Sequence, residues 1–128
     1  MIVGFVDEDL NPRIEVTVTG RGLRKRSLTA IVDTGFTDFL LLPDGLIAFL
    51  QLTELPVQAK AVLADGSEIS SPYYEVGILW DGVLRQVPVI GTDGTALIGM
   101  SLMRGYDLSI SVEEGGAVTL TRKGETAD

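Results

Sequence analysis

Residues 29–43 read TAIVDTGFTDFLLLP, a segment in which two apolar runs flank a carboxylate and a glycine. The first run, Ala30–Val32, leads directly into Asp33. A strand that enters a turn can present a carboxylate at its exposed end, where backbone N–H groups point back at it and hold it. Thr34 has a stiff χ1 because it is β-branched, and Gly35 permits close approaches that a Cβ would obstruct. The triplet is therefore suited to holding one carboxylate in a rigid, apolar frame.

The length and composition of the chain predict one folded domain. It has 128 residues, of which 45% are hydrophobic, and it lacks long polar tracts. We predict a domain over residues 1–121 and a flexible C-terminal tail over residues 122–128. No window holds the roughly 18 apolar residues of a membrane span, and the start of the chain lacks the features of a signal peptide. We therefore expect a cytoplasmic protein with no membrane partner.

The chain contains no Cys and no His, and this restricts its chemistry. Disulfides, thiolate nucleophiles, Ser-His pairs and histidine general bases are all excluded. Hydrolytic chemistry would have to use carboxylates, a Lys, or a metal held by oxygen ligands. The formal net charge is −8, and the only basic run, RGLRKR at residues 21–26, is typical of a solvated hairpin tip. We therefore expect no nucleic-acid partner.

Most of the sequence has the period-two pattern of half-buried strands. In RIEVTVTG, for example, Ile14, Val16 and Val18 share one face. Turns are predicted at residues 20–22 and at three pairs, which are Asp65-Gly66, Asp81-Gly82 and Gly115-Gly116. The pattern indicates an all-β fold of many short strands with one or two short helices.

Two short helices are predicted. The first follows Pro43, with Asp44 as a possible N-cap and with Leu46, Phe49 and Leu50 as its buried side. The second follows Gly99 and covers about a turn and a half, with Asp107 at its end and Arg104 either solvated or facing a partner chain.

Two further motifs follow the Asp33 turn in a specific order. The segment LADGSEI forms a hairpin tip of small residues, Ala64, Asp65, Gly66 and Ser67, which can close over a ligand. Later comes ALIGMSLM, in which Leu97, Ile98 and Gly99 lead into a helix. This apolar turn can pack beneath the carboxylate turn and exclude water from below.

Together these three motifs resemble those of the retropepsin-like aspartic proteases, the single-domain form found in retroviruses and in bacterial relatives. The matching parts are AIVDTGFTDFLLLP, LADGSEI and ALIGMSLMRGYDLSI, and the resemblance covers roughly residues 12–120. It implies a closed barrel or sandwich with a bacterial-type protease function and no cofactor or metal. The polar tail after the second helix is longer than in the viral proteins.

The resemblance also implies roles for individual residues. Asp33 is the catalytic aspartate, Thr34 braces the two catalytic loops across the dimer, and Gly35 is the turn glycine. The flap that binds substrate comprises Ala64, Asp65, Gly66 and Ser67, and the active-site support comprises Leu97, Ile98 and Gly99. Phe36 departs from the family pattern, which usually has Ala or Ser there and, with Ser, a hydroxyl beside the carboxylate.

The chemistry of this family needs two carboxylates about 3 Å apart that share one proton. This chain holds one Asp-Thr-Gly, and 128 residues cannot carry two lobes. The second Asp33 must therefore come from an identical chain across a two-fold axis. The sequence thus predicts a homodimeric aspartic endopeptidase that cuts an extended polypeptide.

Two other hypotheses compete with this one. The same fold could bind extended peptides without cutting them or serve as a dimerisation module. A metal site could instead be built from Asp33, Asp38, Asp65 and Asp93, but these residues lie far apart and no calcium-loop spacing occurs.

Three aromatic residues could bind a ligand, but packing within the fold explains them more simply. Trp80 is predicted to pack in the core or at an edge beside a hairpin. Strand alternation predicts that one of Tyr73 and Tyr74 is buried and the other exposed.

Overall fold

The computed structural model of the chain describes residues 1–125 and is built mainly of strands. The strands are β1 (Ile2–Val6), β2 (Pro12–Thr19), β3 (Lys25–Val32), β4 (Leu40–Pro43), β5 (Thr53–Val62), β6 (Glu68–Trp80), β7 (Val83–Thr92), β8 (Leu97–Ile98), β9 (Tyr106–Ile110) and β10 (Ala117–Arg122). The two helices are α1 (Asp44–Leu50) and α2 (Met100–Met103). The predicted all-β class with two short helices is confirmed.

Six of the strands close into a barrel. The ring runs β6-β7-β4-β8-β3-β2, and pairing of Thr17–Thr19 in β2 with Gly77–Leu79 in β6 closes it. Strand β5 extends the sheet from β6, and β1, β10 and β9 extend it from β2. The apolar faces of the ring strands fill the interior, where Val18, Leu42 and Ile78 have no exposed surface. The period-two pattern of the sequence therefore determines which side chains form the core.

The structure places one strand that the sequence analysis missed. In β1, Val3 and Phe5 are 62% and 44% exposed, so apolar residues lie on both faces and no polar alternation marks the strand. The strand pairs with β10 and β2. Gly4 lies so close to β2 that a Cβ there would be 2.0 Å from the carbonyl oxygen of Arg13.

The first helix differs from the prediction in its cap and its buried side. Pro43 is the N-cap residue, and Asp44 is the first residue of α1 and makes no side-chain cap hydrogen bond. The buried residues are Ile47 and Leu50, one helical turn apart, so Leu50 was predicted correctly and Phe49 was not.

Phe49 is instead exposed on the surface of α1. It is 44% exposed, and the guanidinium of Arg26 lies 4.2 Å from its ring centroid. Leu46 is half-buried and packs against the edge of the core.

The structure also shows where the aromatic residues and Asp107 lie relative to their predicted positions. Trp80 is buried and meets Tyr106 edge-on at 6.0 Å, as its predicted core packing requires. Tyr73 and Tyr74 are both half-buried, so the predicted contrast between them is wrong. Asp107 lies in β9 rather than at the end of a helix, because α2 already ends at Met103.

The C-terminal end is described only in part. Arg122 is the last residue of β10, and the N–H of Lys123 donates to the carbonyl of Gly105 at 2.9 Å. Residues 126–128 of the predicted tail lie outside the described residues. Among residues 1–125, no helix is long and apolar enough to cross a membrane.

Asp7 links the stability of the fold to pH. Its carboxylate accepts hydrogen bonds from Arg13 Nε at 2.5 Å and from the N–H groups of Asn11 and Asp9. These contacts, the Arg13 bond above all, lower the pKa of Asp7 from 3.8 to about 2. Because the pKa is lower in the folded state than in the unfolded one, the contribution is complete above about pH 4 and is lost as the pH falls towards 2.

We expect Asp7→Asn to unfold at lower urea concentration than the wild type at neutral pH. The difference between the two proteins should shrink as the pH falls from about 4 to 2, because the wild type alone loses this contribution. Urea midpoints measured across that range test the prediction. A constant difference between the two proteins at every pH would contradict it.

Candidate active site

Parallel strand pairing places Asp33 directly after the end of β3, where Ala30 and Val32 are buried. Strand β3 ends at Val32, and β8 runs parallel to it with Val32 opposite Ile98. The N–H of Asp33 then donates to the carbonyl of Ile98 at 2.9 Å. The structure therefore brings the Asp33 turn and the motif Leu97-Ile98-Gly99 into direct contact, although Asp33 and Leu97 are 64 positions apart in the sequence.

The turn after β3 holds the carboxylate and leaves it accessible. The N–H of Gly35 donates to Asp33 Oδ1 at 2.8 Å, and the N–H of Phe36 donates to the carbonyl of Asp33 at 3.2 Å. Asp33 is half-buried, while Thr34 and Gly35 are exposed. A Cβ at position 35 would lie 3.2 Å from Asp33 Oδ1, which favours Gly beside the carboxylate.

The second half of the loop is anchored on α2. We call residues 33–38 the Asp33 loop. The N–H of Met100 donates to the carbonyl of Phe36 at 2.8 Å, and the N–H of Ser101 donates to the carbonyl of Asp38 at 3.2 Å. Ser101 Oγ adds a bond of 2.5 Å to the carbonyl of Thr37. The first residues of the helix therefore satisfy the carbonyls of the loop, which would otherwise lack partners.

Gly99 makes this close contact possible. A Cβ at position 99 would lie 2.0 Å from the carbonyl oxygen of Asp38 and 2.7 Å from Cδ2 of Phe36. The N–H of Gly99 donates to the carbonyl of Phe39 at 3.0 Å. The glycine predicted from its motif therefore lies against the loop, with no room for a side chain.

A groove of about 350 Å³ opens between the Asp33 loop and the β5–β6 hairpin. The loop contributes one wall, the hairpin contributes a second, and Ile90 of β7 contributes to the floor. The lining residues are Phe36, Thr37, Asp38, Ala59, Lys60, Ala61, Ile69, Ser71, Tyr73 and Ile90. The groove is mainly apolar, with Asp38 and Lys60 as its charged groups, and its size suits side chains of an extended ligand.

Asp38 and Tyr73 form a contact in this groove that the sequence analysis missed. The Tyr73 hydroxyl donates to Asp38 Oδ2, and the N–H of Phe39 donates to Asp38 Oδ1 at 2.8 Å. The bond to Asp38, with burial as a second cause, raises the pKa of Tyr73 to about 12. No motif or periodicity pairs two residues 35 positions apart, so only the fold reveals this contact.

The predicted flap residues form the tip of the β5–β6 hairpin. The N–H of Gly66 donates to the carbonyl of Leu63 at 2.9 Å, and Gly66 has a φ of 85°, which favours glycine. Ala64, Asp65, Gly66 and Ser67 are all exposed.

Asp65 stiffens the tip of the hairpin. Its Oδ1 accepts bonds from the hydroxyl of Ser67 at 2.5 Å and from the N–H of Ser67 at 2.9 Å, and these bonds lower the pKa of Asp65. The hairpin predicted from Asp65-Gly66 is present, and its role as a flap stays a prediction.

The acidic residues of the alternative metal hypothesis are engaged separately. The carboxylate of Asp33 accepts a hydrogen bond from the N–H of Gly35. The carboxylate of Asp38 accepts one from the hydroxyl of Tyr73, and that of Asp65 accepts one from the hydroxyl of Ser67. Within residues 1–125, no group of three or more His, Cys, Asp or Glu side chains is placed to hold a metal ion.

Comparison with known proteins adds no assignment. No protein-family model matches the chain, and no curated protein matches it.

We expect Tyr73→Phe to lower the free energy of unfolding by about 1 to 2 kcal/mol, since it removes a hydrogen bond to a charged group. Tyr74→Phe is the matched control, because the hydroxyl of Tyr74 makes no hydrogen bond within residues 1–125. Alkaline titration of tyrosine absorbance should also lose a step near 12 in Tyr73→Phe and not in Tyr74→Phe. Equal stabilities of the two variants would contradict this account.

Proposed function

We propose that the protein is an aspartic endopeptidase that acts as a homodimer. The observation that carries the proposal is that the Asp33 carboxylate lies at an exposed turn, where the N–H of Gly35 donates to it at 2.8 Å. The loop that contains Asp33 is anchored on β8 and α2, and Gly99 lies at this contact. A binding surface alone does not need one carboxylate fixed by a backbone N–H in a loop that β8 and α2 anchor. The resemblance to retropepsin-like proteases supports the same conclusion.

Catalysis would require a second Asp33, supplied by an identical chain across a two-fold axis. The two carboxyls would share one proton, since like charges about 3 Å apart cannot both ionise comfortably. The ionised carboxylate would take a proton from water as the oxygen attacks the peptide carbonyl. The protonated carboxyl would donate its proton to the carbonyl oxygen and so form a neutral tetrahedral diol. Breakdown of the diol would return a proton to the amine as the C–N bond breaks.

The substrate would be an extended polypeptide. Its side chains would enter the groove between the Asp33 loop and the β5–β6 hairpin, and its backbone would pair with the hairpin. Thr34 is exposed beside Asp33 and would brace the two loops across the axis. The retropepsin fold, the flap role of residues 64–67 and the dimer are parts of this one proposal.

The proposal is tested with an unstructured protein substrate. Purified protein should hydrolyse casein at about pH 4 to 6, and the rate should fall at higher pH as both carboxyls ionise. A statine-type transition-state analogue should inhibit it. Specific activity should also fall on dilution as the dimer dissociates. No hydrolysis at any pH, or full activity in saturating inhibitor, would contradict the proposal.

Phe36 favours a second candidate, a peptide-binding or dimerisation module without catalysis. Its ring replaces any hydroxyl that could bond the carboxylate from that position, and Gly35 is the one hydrogen-bond donor to the Asp33 side chain within residues 1–125. The two candidates separate in one assay. A binding module would retain casein-derived peptides unchanged, and Asp33→Asn would leave their affinity unaffected.

A further inference from the structure

The sheet has two edge strands in the described part of the chain, and they differ in how they are protected. Strand β5 contains Pro56, which has no N–H, and its pairing with β6 is irregular between Glu54 and Gln58. Prolines and bulges of this kind keep the part of an edge strand that contains them from pairing with another chain. Strand β9 at the other edge has no proline, and its pairing with β10 is regular from Tyr106 to Ile110.

The hydrogen bonds between β9 and β10 show which backbone groups of β9 are open. The N–H of Ser111 donates to Ala117, and the carbonyl of Gly105 accepts from Lys123. In an antiparallel pair, every second residue of a strand forms hydrogen bonds with the neighbouring strand, and the residues between them do not. Residues 105, 107, 109 and 111 therefore bond β10, and the N–H and carbonyl groups of residues 106, 108 and 110 face the open edge.

The open edge is continuous with the candidate active site. One groove, of about 350 Å³, is lined by Thr34 of the Asp33 loop, by Met100 and by Leu108 of β9. Met100 is 47% exposed, and Leu108 is half-buried. A chain docked on β9 would therefore also cover Thr34 and the apolar surface of α2.

We propose that β9 pairs antiparallel with β9 of a second copy of this chain, centred on Leu108. The inference rests on the proposed function, which leaves each site incomplete without a second Asp33. Self-pairing of one strand about a two-fold axis is isologous, as such a dimer requires. Because the open groups belong to residues 106, 108 and 110, Leu108 lies opposite Leu108 of the second copy, and Tyr106 lies opposite Ile110. Ten strands of each copy would then join in one continuous sheet.

The charges beside β9 fit this register. Arg104 and Glu113 are exposed, and neither has an ion-pair partner within residues 1–125. A register centred on 108 places position 104 opposite position 112 of the second copy, next to Glu113. The two-fold axis makes this contact twice, so the paired edges carry two complementary cation–anion contacts. Asp107 has its own partner in Lys123 of the same chain, at 3.2 Å.

A single cysteine tests the register directly, because the chain contains no other. Under mild oxidation, Leu108→Cys should form a disulfide-linked dimer, since only the residue on the axis meets itself in the second copy. Gln58→Cys, on the exposed face of the protected edge β5, is the matched control and should stay largely unlinked. Linkage of Gln58→Cys but not of a folded Leu108→Cys would overturn the proposal.

Charge reversal gives a test that leaves the strand intact. Arg104→Glu should raise the dissociation constant of the dimer, measured by sedimentation, about three- to tenfold, because each attraction becomes a repulsion. Glu113→Arg should do the same, and the double variant should recover the affinity of the wild type. If the effects of the two single variants simply added in the double variant, the proposed contact would be overturned.

These outcomes are separable from those of the proposed function. Linked Leu108→Cys dimers without peptide hydrolysis would support this interface and end the enzymatic proposal. If the chain hydrolyses peptides in an Asp33-dependent way but its folded Leu108→Cys variant never forms a disulfide-linked dimer, the enzymatic proposal would be supported and this interface would be overturned.

Discussion

Asp33→Asn is expected to lower the rate of casein hydrolysis by about 10³-fold or more while leaving the fold intact. The amide cannot ionise, so the pair loses both the shared proton and the base that activates water. The fold should survive because the side-chain oxygen of Asn can still accept the N–H of Gly35, which now lies 2.8 Å from Asp33 Oδ1. Initial rates and thermal unfolding, measured on the same preparations, test both parts.

Asp93→Asn provides the matched control for this substitution. Asp93 is exposed in the turn before β8, and its side chain makes no hydrogen bond or ion pair within residues 1–125. The same chemical change there should leave the rate unchanged. A wild-type rate in Asp33→Asn would remove the carboxylate from the mechanism.

Gly99→Ala is expected to lower the free energy of unfolding by about 1 to 3 kcal/mol and to reduce activity further than the lost stability explains. The added Cβ would lie 2.0 Å from the carbonyl oxygen of Asp38, which is backbone and cannot rotate away. The Asp33 loop must therefore shift from α2, and the carboxylate moves with it. Urea unfolding measures the first effect, and hydrolysis rates at full folding measure the second.

Gly45→Ala is the control for the loss of a glycine. Gly45 lies in α1, and a Cβ there would meet nothing within 4 Å. Because Ala favours helices over Gly by about 1 kcal/mol, this variant should be as stable as the wild type or more stable. If Gly99→Ala were equally stable and active, the support of the Asp33 loop by α2 would be refuted.

Much of the fold follows from the spacing of residues in the sequence. Alternation in β2 placed Ile14, Val16 and Val18 on one face, and all three are buried. The same rule failed for β1, because Val3 and Phe5 are apolar although they are exposed. Periodicity can identify a strand only where its two faces differ in polarity.

The buried side of α1 was predicted in part for a related reason. Phe49 is the bulkiest apolar side chain of that helix, yet it lies outside under Arg26, and Ile47 lies inside. A helix of seven residues carries too little periodic signal to fix its orientation, and tertiary packing decides it.

The candidate site was predictable where its residues form local motifs and not where they meet across the fold. Asp33, Gly35 and Gly99 are recognisable because a turn or a close approach demands each residue type. The bond between Asp38 and Tyr73 joins the Asp33 loop to β6, two segments that are far apart in the sequence and meet only in the folded sheet. The open edge of β9 was likewise unpredictable, because an edge strand has the same local pattern as a central one.

Mixing wild-type chains with Asp33→Asn chains tests most directly whether two copies build one site. At a fixed amount of wild type, an equal amount of Asp33→Asn should lower the activity per wild-type chain to about half, and excess variant should abolish it. Asp93→Asn chains, added instead, should not lower it. Activity that stays constant through a large excess of Asp33→Asn, under conditions where chains exchange, would show that each site needs only one chain.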